Sequence, residues 1–280
     1  MSIFMSLLLG LVQGVTEFLP VSSSGHLSIL QNIFNLNYAE DNHLLFEVLL
    51  HLGTLISIIV VYWEDIKTML ADGLTFLRMR SELDADEPIV LKPPARALLF
   101  VIIGTLPMII ALVFSRSVKR LFFSLGFIGF ALIITGGLLF ASEKYITKGN
   151  KTERTMTLAD ALFIGLSQAV AILPGLSRSG TTIAVGLARG LSGNFAVRFS
   201  LLLSIPAVLG ATFVTLISAF RSGINFSLFP IYLVGFVIAT VTGFFAIQFI
   251  RRLMAKGDFG KVAYYCWGAG LLTVIMSFFR

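Results

Sequence analysis

Long apolar stretches dominate the chain, and short polar segments separate them. Six of these stretches reach the roughly 20 residues that a bilayer-spanning helix needs, and they cover 43–62, 97–115, 121–141, 195–217, 229–249 and 262–279. Two further apolar segments, 3–35 and 159–190, are interrupted near their middle by Pro, Gly and Ser. The pattern predicts an all-α integral membrane protein with six transmembrane helices.

The two interrupted segments contain PVSSSG at 20–25 and PGLSRSG at 174–180. Such turns leave backbone groups unpaired, which is tolerated at membrane depth only inside protein or beside a water-filled cavity. The sequence therefore predicts two re-entrant helix–turn–helix hairpins, with two kinked ordinary spans as the alternative.

The two predicted hairpins resemble each other at an offset of 155 residues. The identical pairs at this offset are Gly10 and Gly165, Leu11 and Leu166, Gln13 and Gln168, Val15 and Val170, Ser22 and Ser177, Ser24 and Ser179, and Gly25 and Gly180. Three spans follow each hairpin, and because three is an odd number the second copy must enter the membrane from the opposite face. We predict an inverted-topology repeat of residues 1–145 and 158–280 in one membrane domain, with its broken elements meeting near the midplane.

Composition and charge agree with a membrane protein and suggest its orientation. Of the 280 residues, 56% are hydrophobic and only 13% are charged, whereas soluble domains are about 25% charged. The predicted connections 63–96, 142–158, 189–198 and 250–261 contain 15 of the 21 Lys and Arg residues. By the positive-inside rule this side is cytoplasmic, which predicts that both termini lie outside the plasma membrane and that the first hairpin enters from the outer face.

Three further features of the sequence concern a polar connection, the single cysteine and possible partners. The polar connection 63–96 predicts an amphipathic helix near 64–80, with a solvated linker as the alternative. Cys266 is the single cysteine, so no internal disulfide is expected. Nothing in the sequence has the aromatic and basic pattern of a nucleic-acid-binding surface, and a homodimer is compatible with it.

Ionisable residues at membrane depth are costly and usually mark a site. Here they are Glu17, His26, Glu47, His51 and Arg178. Glu47 and His51 are four residues apart, and we expect them to pair with each other. If the two turns meet, a carboxylate, an imidazole and a guanidinium converge with several hydroxyl groups.

This combination suits an anionic ligand. The guanidinium of Arg178 offers a planar fork of donors that matches phosphate oxygens, and each turn leads into a helix whose N-terminus attracts anions. The hydroxyl donors are Ser22, Ser23, Ser24, Ser177, Ser179 and Thr182.

A carboxylate beside bound phosphate calls for a divalent cation, which binds one or two carboxylates and substrate oxygens. Gln13 lies four residues before Glu17 on the same helix face, so both are candidate ligands of Mg²⁺ or Ca²⁺. Each candidate also has a structural alternative: helix packing for Gln13, a protonated carboxyl for Glu17, a helix cap for His26, and a salt bridge to Glu17 for Arg178.

The two turns resemble those of the undecaprenyl-diphosphate phosphatase family, the bacitracin-resistance type of membrane phosphatase. The family's (E/Q)xxxE motif corresponds to Gln13–Glu17, its PVSSxGH-like segment to Pro20–His26, and its PGxSRSxxT motif to Pro174–Thr182. Family members often have Glu at the first motif position, where this chain has Gln13. The resemblance implies metal-dependent hydrolysis of undecaprenyl diphosphate to undecaprenyl phosphate, which recycles the lipid carrier of cell-wall synthesis and gives bacitracin resistance.

A working mechanism assigns roles to the candidate residues. Arg178 grips the diphosphate, Ser23 is the nucleophile and His26 is its base, while Glu17 holds the metal or orients the nucleophile. In a variant, water activated by Glu17 or His26 attacks and Ser23 only positions phosphate. The remaining predicted substrate-binding residues are Ser22, Ser24, Gly25, Gly175, Ser177, Ser179, Gly180 and Thr182. The rival function is a polyprenyl-phosphate flippase, because inverted repeats with broken helices are common in transporters.

Overall fold

The computed structural model describes residues 1–34, 42–82, 91–144, 149–222 and 226–279. They form twelve α-helices, which are α1 Ile3–Phe18, α2 Ser23–Ile33, α3 Asn42–Val61, α4 Trp63–Glu82, α5 Pro93–Thr105, α6 Met108–Lys119, α7 Leu125–Lys144, α8 Leu158–Val170, α9 Arg178–Ala188, α10 Gly193–Ser222, α11 Phe229–Lys256 and α12 Val262–Met276. Short 3₁₀ turns cover Arg120–Phe123, Phe226–Leu228 and Phe259–Lys261. Within the described ranges no β-strand forms, since only one isolated bridge pairs Lys151 with Leu191. The predicted all-α class is confirmed.

Five stretches of the described chain are each long and apolar enough to cross a membrane. They are Pro93–Ala111, Leu125–Lys144, Gly193–Ile217, Phe229–Lys256 and Phe259–Met276. A sixth candidate consists of Leu45–Val61 and Trp63–Met79, which meet at an angle of 78°. Large side chains such as Phe4, Phe130, Phe213 and Phe245 are more than half exposed, which is typical of a lipid-facing surface. The protein is therefore a multi-pass membrane protein.

One predicted span is divided into two helices, and the helix predicted in the first long polar connection is present. The predicted span 97–115 is divided between α5 and α6, because Pro107 cannot donate a backbone hydrogen bond and interrupts the helix. The backbone N–H of Leu106 accordingly bonds Ile103 O, three residues back, at 3.2 Å. The helix predicted at 64–80 is confirmed as α4, which follows the sharp bend after α3.

The first interrupted segment forms α1 and α2, joined by a short turn. Helix α1 ends at Phe18, and Leu19 is extended, because the residue before a proline disfavours the helical conformation. After Pro20 and Val21, Ser22 caps α2 by accepting a hydrogen bond from Gly25 N at 3.2 Å. Ser22 has a φ of 69°, the one positive value among the described residues other than glycine.

The second interrupted segment forms α8 and α9 around a similar turn. Gly175 has a φ of 93°, which favours glycine because it has no Cβ. Ser177 caps α9 by accepting a hydrogen bond from Gly180 N at 3.1 Å. Thr135 of α7 secures this turn, since its hydroxyl donates to Gly175 O at 3.0 Å and accepts from Ser177 N at 3.1 Å. Both predicted helix–turn–helix elements are present.

Each helix–turn–helix element packs closely on a helix from the other half of the chain. A Cβ added to Gly10 of α1 would lie 2.5 Å from the carbonyl oxygen of Gly235 in α11. A Cβ added to Gly165 of α8 would collide in the same way with Gly104 of α5. Small residues at these crossings let membrane helices approach closely, so the two halves interlock around both turns.

A buried carboxylate anchors the base of the second helix–turn–helix element. Asp160, at the start of α8, has no exposed side-chain surface and accepts hydrogen bonds from Lys151 Nζ at 2.9 Å and Arg189 Nε at 2.8 Å. It also completes a capping box with Thr157. These contacts hold both helices of the element to the connection before it, since Arg189 directly follows α9.

Candidate active site

The two turns meet, as the ionisable residues predict. Arg178, the first residue of α9, donates a hydrogen bond from a guanidinium nitrogen to Glu17 Oε1 at 2.6 Å, and its side chain is 19% exposed. The hydroxyl of Ser179 donates to Leu19 O at 3.3 Å. Residues more than 150 positions apart therefore form one junction between the two helix–turn–helix elements.

The carboxylate of Glu17 is the centre of this junction. Its second oxygen, Oε2, accepts hydrogen bonds from Ser23 Oγ at 2.6 Å and from Gln13 Nε2 at 2.9 Å. Glu17 is only 8% exposed and Gln13 is fully buried. A carboxylate that accepts three such bonds, one from a guanidinium, is held in its ionised form as an acceptor. The protonated carboxyl that the sequence leaves open for Glu17 does not match this arrangement.

The ring of His26 bonds groups other than Ser23 in the structure, and its role as the base stays a prediction. His26 Nδ1 donates to the backbone carbonyl of Ser22 at 2.8 Å, and Nε2 lies 2.7 Å from the hydroxyl of Tyr265. A neutral ring with its proton on Nδ1 satisfies both contacts. The rings of His26 and Tyr265 also stack with centroids 5.7 Å apart. Glu17 therefore occupies the position next to Ser23 that the sequence assigns to His26.

A cavity of about 250 Å³ opens beside the junction. The predicted site residues that line it are Glu17, Ser22, Ser23, Ser24, Ser177 and Arg178. Because Ser23 and Arg178 begin α2 and α9, the N-terminal ends of both helices face the cavity. A guanidinium, two helix N-termini and several hydroxyl groups favour an anion there.

The other predicted substrate-binding residues support the turns from outside the cavity wall. Gly25 and Gly180 donate to the capping serines, and Gly175 forms the second turn. The hydroxyl of Thr182 lies 2.6 Å from that of Ser200 in α10 and donates to Arg178 O at 2.8 Å. For these residues and Ser179, contact with substrate stays a prediction.

Glu47 and His51 also belong to the cavity wall, although the sequence favours a mutual pair over a role in a site. The ring of His51 contacts Glu47 through the backbone, because Nδ1 donates to its carbonyl oxygen at 2.9 Å. Both residues lie on α3, which brings a second carboxylate to the cavity.

Sequence reasoning missed three other polar residues of this region. Gln168 of α8 and Thr212 of α10 line the cavity, and Tyr265 of α12 binds His26. The repeat offers a signal for Gln168, which matches Gln13 at the offset of 155. Thr212 and Tyr265 lie inside long apolar spans, where a single hydroxyl has no distinguishing pattern.

The donor set for a divalent cation is sparse. Within the described residues, no group of three or more His, Cys, Asp or Glu side chains could hold a metal ion. Gln13 turns its amide nitrogen toward Glu17, and its buried Oε1 has no partner in the described chain. Glu17 and Glu47 both line the cavity. Since Mg²⁺ often binds one or two carboxylates plus substrate phosphate oxygens, these residues fit an ion that arrives with a phosphorylated ligand.

Comparison with known proteins supports the resemblance of the two motifs. The family described as bacitracin resistance protein BacA matches residues 6–272. An undecaprenyl-diphosphatase of Carboxydothermus hydrogenoformans is 40% identical over 99% of this chain and 98% of its own length. The undecaprenyl-diphosphatases of Syntrophotalea carbinolica and Methanobrevibacter smithii are 39% and 38% identical over 99% of this chain, covering 100% and 98% of their own. The chain therefore belongs to the bacitracin resistance protein BacA family.

Proposed function

We propose that this protein hydrolyses undecaprenyl diphosphate to undecaprenyl phosphate and inorganic phosphate. The observation that carries the proposal is the junction in the cavity, where Glu17 bonds both Arg178 and Ser23. The names of the full-length relatives support the substrate. The reaction returns the lipid carrier to cell-wall synthesis, and it gives resistance to bacitracin.

The diphosphate head group binds at the junction of the turns. Arg178 grips the terminal phosphate, and the N-termini of α2 and α9 add partial positive charge. The cavity wall also includes Met108, Ile172 and Val208. These apolar side chains suit the start of the prenyl chain, whose remainder lies among the helices and in lipid.

Ser23 and Glu17 carry out the chemistry. Glu17 takes the proton of the Ser23 hydroxyl as Oγ attacks the terminal phosphorus, and the bond to the bridging oxygen breaks. The electron pair of that bond leaves with undecaprenyl phosphate, which receives the proton from Glu17. Glu17 then takes a proton from water as the water oxygen attacks the phosphoserine. The bond between phosphorus and Ser23 Oγ breaks, Oγ receives that proton from Glu17, and inorganic phosphate is released. The 2.6 Å contact between Ser23 and Glu17 favours this route over direct attack by water.

His26 supports the site in this mechanism and does not act as the base. Its ring joins Ser22, the cap of α2, to Tyr265 of α12. This contact fixes the first turn of α2, and Ser23 lies at the start of that turn. The hydroxyl of Ser23 is therefore held toward Glu17.

A divalent cation, Mg²⁺ or Ca²⁺, is part of the proposal. Glu17 would hold it together with substrate oxygens. Glu47 lines the same cavity, and Gln13, which bonds Glu17, has an Oε1 that is unpartnered among the described residues. When bound, the ion neutralises negative charge on the transferred phosphoryl group.

We further propose that the two helix–turn–helix elements are re-entrant hairpins of an inverted repeat of residues 1–145 and 158–280, with six spans. The reciprocal close packing of α1 on α11 and of α8 on α5 supports it. The distribution of Lys and Arg supports an orientation with both termini outside the plasma membrane and the site open to the outer face.

Purified protein in detergent tests the function. We expect phosphate release from a polyprenyl diphosphate, and loss of this release with EDTA. A flippase without hydrolytic activity releases none, because detergent leaves no membrane to cross. Absence of phosphate release by folded wild-type protein with Mg²⁺ and Ca²⁺ supplied would overturn the proposal.

A further inference from the structure

Gln168 has a buried amide that no other described residue satisfies. The residue is 1% exposed, and neither Oε1 nor Nε2 has a hydrogen-bond partner in the described part of the chain. A primary amide offers two donors and an acceptor, and leaving such a group unpaired in a protein interior lowers stability. Gln168 lines the same cavity as Glu17, Ser23 and Arg178, and a rotation of its buried side chain would turn the amide toward a ligand there.

Thr212 provides a second unsatisfied donor on the same cavity. Its side chain is 9% exposed, and its hydroxyl has no partner among the described residues. The six other hydroxyl groups of the cavity wall all form hydrogen bonds within the protein; they belong to Thr16, Ser22, Ser23, Ser24, Ser177 and Thr215. The unsatisfied donors of the cavity wall therefore lie on α8 and α10.

Comparison with Gln13, the equivalent residue of the first half, shows why the amide of Gln168 has no partner within the part of the protein that the structure describes. Gln13 donates to Glu17, four residues further along α1, at 2.9 Å. The residue four positions after Gln168 is Ile172, which has no acceptor in its side chain. Gln168 therefore has the same helical position as Gln13 but lacks its partner. The cavity volume of about 250 Å³ far exceeds the roughly 10–15 Å³ that one water molecule needs, so the cavity that Gln168 lines has room for water or a ligand.

We propose that Gln168 and Thr212 form a second phosphate subsite, which binds the phosphate that remains attached to the lipid. This inference rests on the proposed function. Arg178 and Ser23 hold the terminal phosphate, so the unsatisfied donors of the cavity are left for the inner one. Both donors are neutral, so their hydrogen bonds to the phosphate lack the ion pair that Arg178 provides at the terminal phosphate. The subsite thus orients the leaving phosphate while allowing the lipid product to dissociate.

The test compares two variants with a matched control. Gln168→Met keeps the length and approximate volume of the side chain but removes its donors, and Thr212→Val does the same for the hydroxyl. Thr181→Val is the control, because the hydroxyl of Thr181 is also buried and unpartnered but does not line the cavity. The measurements are kcat and KM with a polyprenyl diphosphate, inhibition by the corresponding polyprenyl monophosphate, and the unfolding temperature in detergent.

Loss of a hydrogen bond to a charged phosphate predicts a roughly 10- to 100-fold fall in kcat/KM for Gln168→Met. Most of this fall should be in KM, and inhibition by the monophosphate should weaken with it. The unfolding temperature should stay the same or rise, because an unsatisfied buried amide has been removed. Thr212→Val should show the same effects to a smaller extent, and Thr181→Val should keep wild-type kinetics.

Wild-type kcat/KM in Gln168→Met would overturn the subsite. So would a lower unfolding temperature with unchanged KM and unchanged monophosphate inhibition, since that result assigns the amide a structural role. If the wild-type protein releases no phosphate, the proposed function fails instead. In that case, direct binding of polyprenyl monophosphate to wild-type protein and Gln168→Met still decides the subsite.

Discussion

The ion pair of Arg178 and Glu17 contributes to stability, and both residues have proposed roles in the reaction. Substitutions can separate the effect on stability from the effect on turnover. Arg178→Met removes the guanidinium and keeps an apolar side chain of similar length. The carboxylate of Glu17, 8% exposed, then has only Ser23 and Gln13 as donors in the described structure. Both are neutral, so a buried negative charge loses its compensation.

The expected loss of stability follows from the burial of the pair. Removing one partner of a buried ion pair costs about 3–5 kcal/mol. The Arg178 side chain is 19% exposed and that of Glu17 is 6% exposed, so partial solvation places the loss near the lower limit, at about 3 kcal/mol. Adding Glu17→Gln removes the unpaired charge, and most of this loss should be recovered in the double variant.

Activity should respond in a different way. The single variant lacks the group proposed to grip the terminal phosphate, and an arginine finger in other phosphoryl-transfer enzymes contributes about 10³-fold or more to turnover. The double variant additionally lacks the base, so it should stay inactive although its stability returns. Arg178→Lys is the matched control, because it keeps the charge but loses the planar fork; it should be nearly as stable as the wild type and still impaired in turnover.

Two measurements on the same purified samples decide the outcome. Phosphate release from a polyprenyl diphosphate reports turnover, and unfolding in detergent reports stability. Wild-type turnover in Arg178→Met would refute the assignment of Arg178 to the substrate. Equal stability of the single and double variants would refute the reasoning about an uncompensated buried charge.

Three further predictions concern the remaining parts of the site. Ser23→Ala should lose nearly all turnover, and acid quenching of the wild type should trap a phosphoenzyme; near-normal turnover in the variant would exclude Ser23 as the nucleophile. EDTA should abolish phosphate release and added Mg²⁺ or Ca²⁺ should restore it, whereas an unchanged rate would remove the cation from the proposal. Tyr265→Phe removes one hydrogen bond of about 1 kcal/mol to His26, so kcat/KM should fall only about fivefold; a thousandfold loss would indicate that His26 takes part in the chemistry.

The meeting of the two turns could be predicted from the sequence because two independent requirements coincide there. Turns that leave backbone groups unpaired must be surrounded by protein or water at membrane depth, and ionisable residues at that depth need partners. Glu17 and Arg178 are next to different turns, so one contact between the turns satisfies both requirements. The observed contact of 2.6 Å confirms this reasoning.

The partners of Ser23 could not be predicted in the same way. Ser23 and His26 are three residues apart, which allows a hydrogen bond at the start of a helix but does not determine where the ring turns. Its direction depends on Tyr265, which is 239 residues away in the sequence. The spacing of two residues in the sequence shows which hydrogen bonds are possible between them. Packing with distant helices determines which of these bonds forms.

The two halves share a backbone plan but carry different chemistry at equivalent positions. At the offset of 155, Ser23 corresponds to Arg178, and Glu17 to Ile172. Ser23 and Arg178 are both the first residue of the helix that follows a turn. Two arginines there would repel each other, and a second carboxylate at 172 would repel phosphate. In the proposed mechanism, the first turn thus carries the nucleophile and the base and the second turn carries the guanidinium, which two identical turns could not provide.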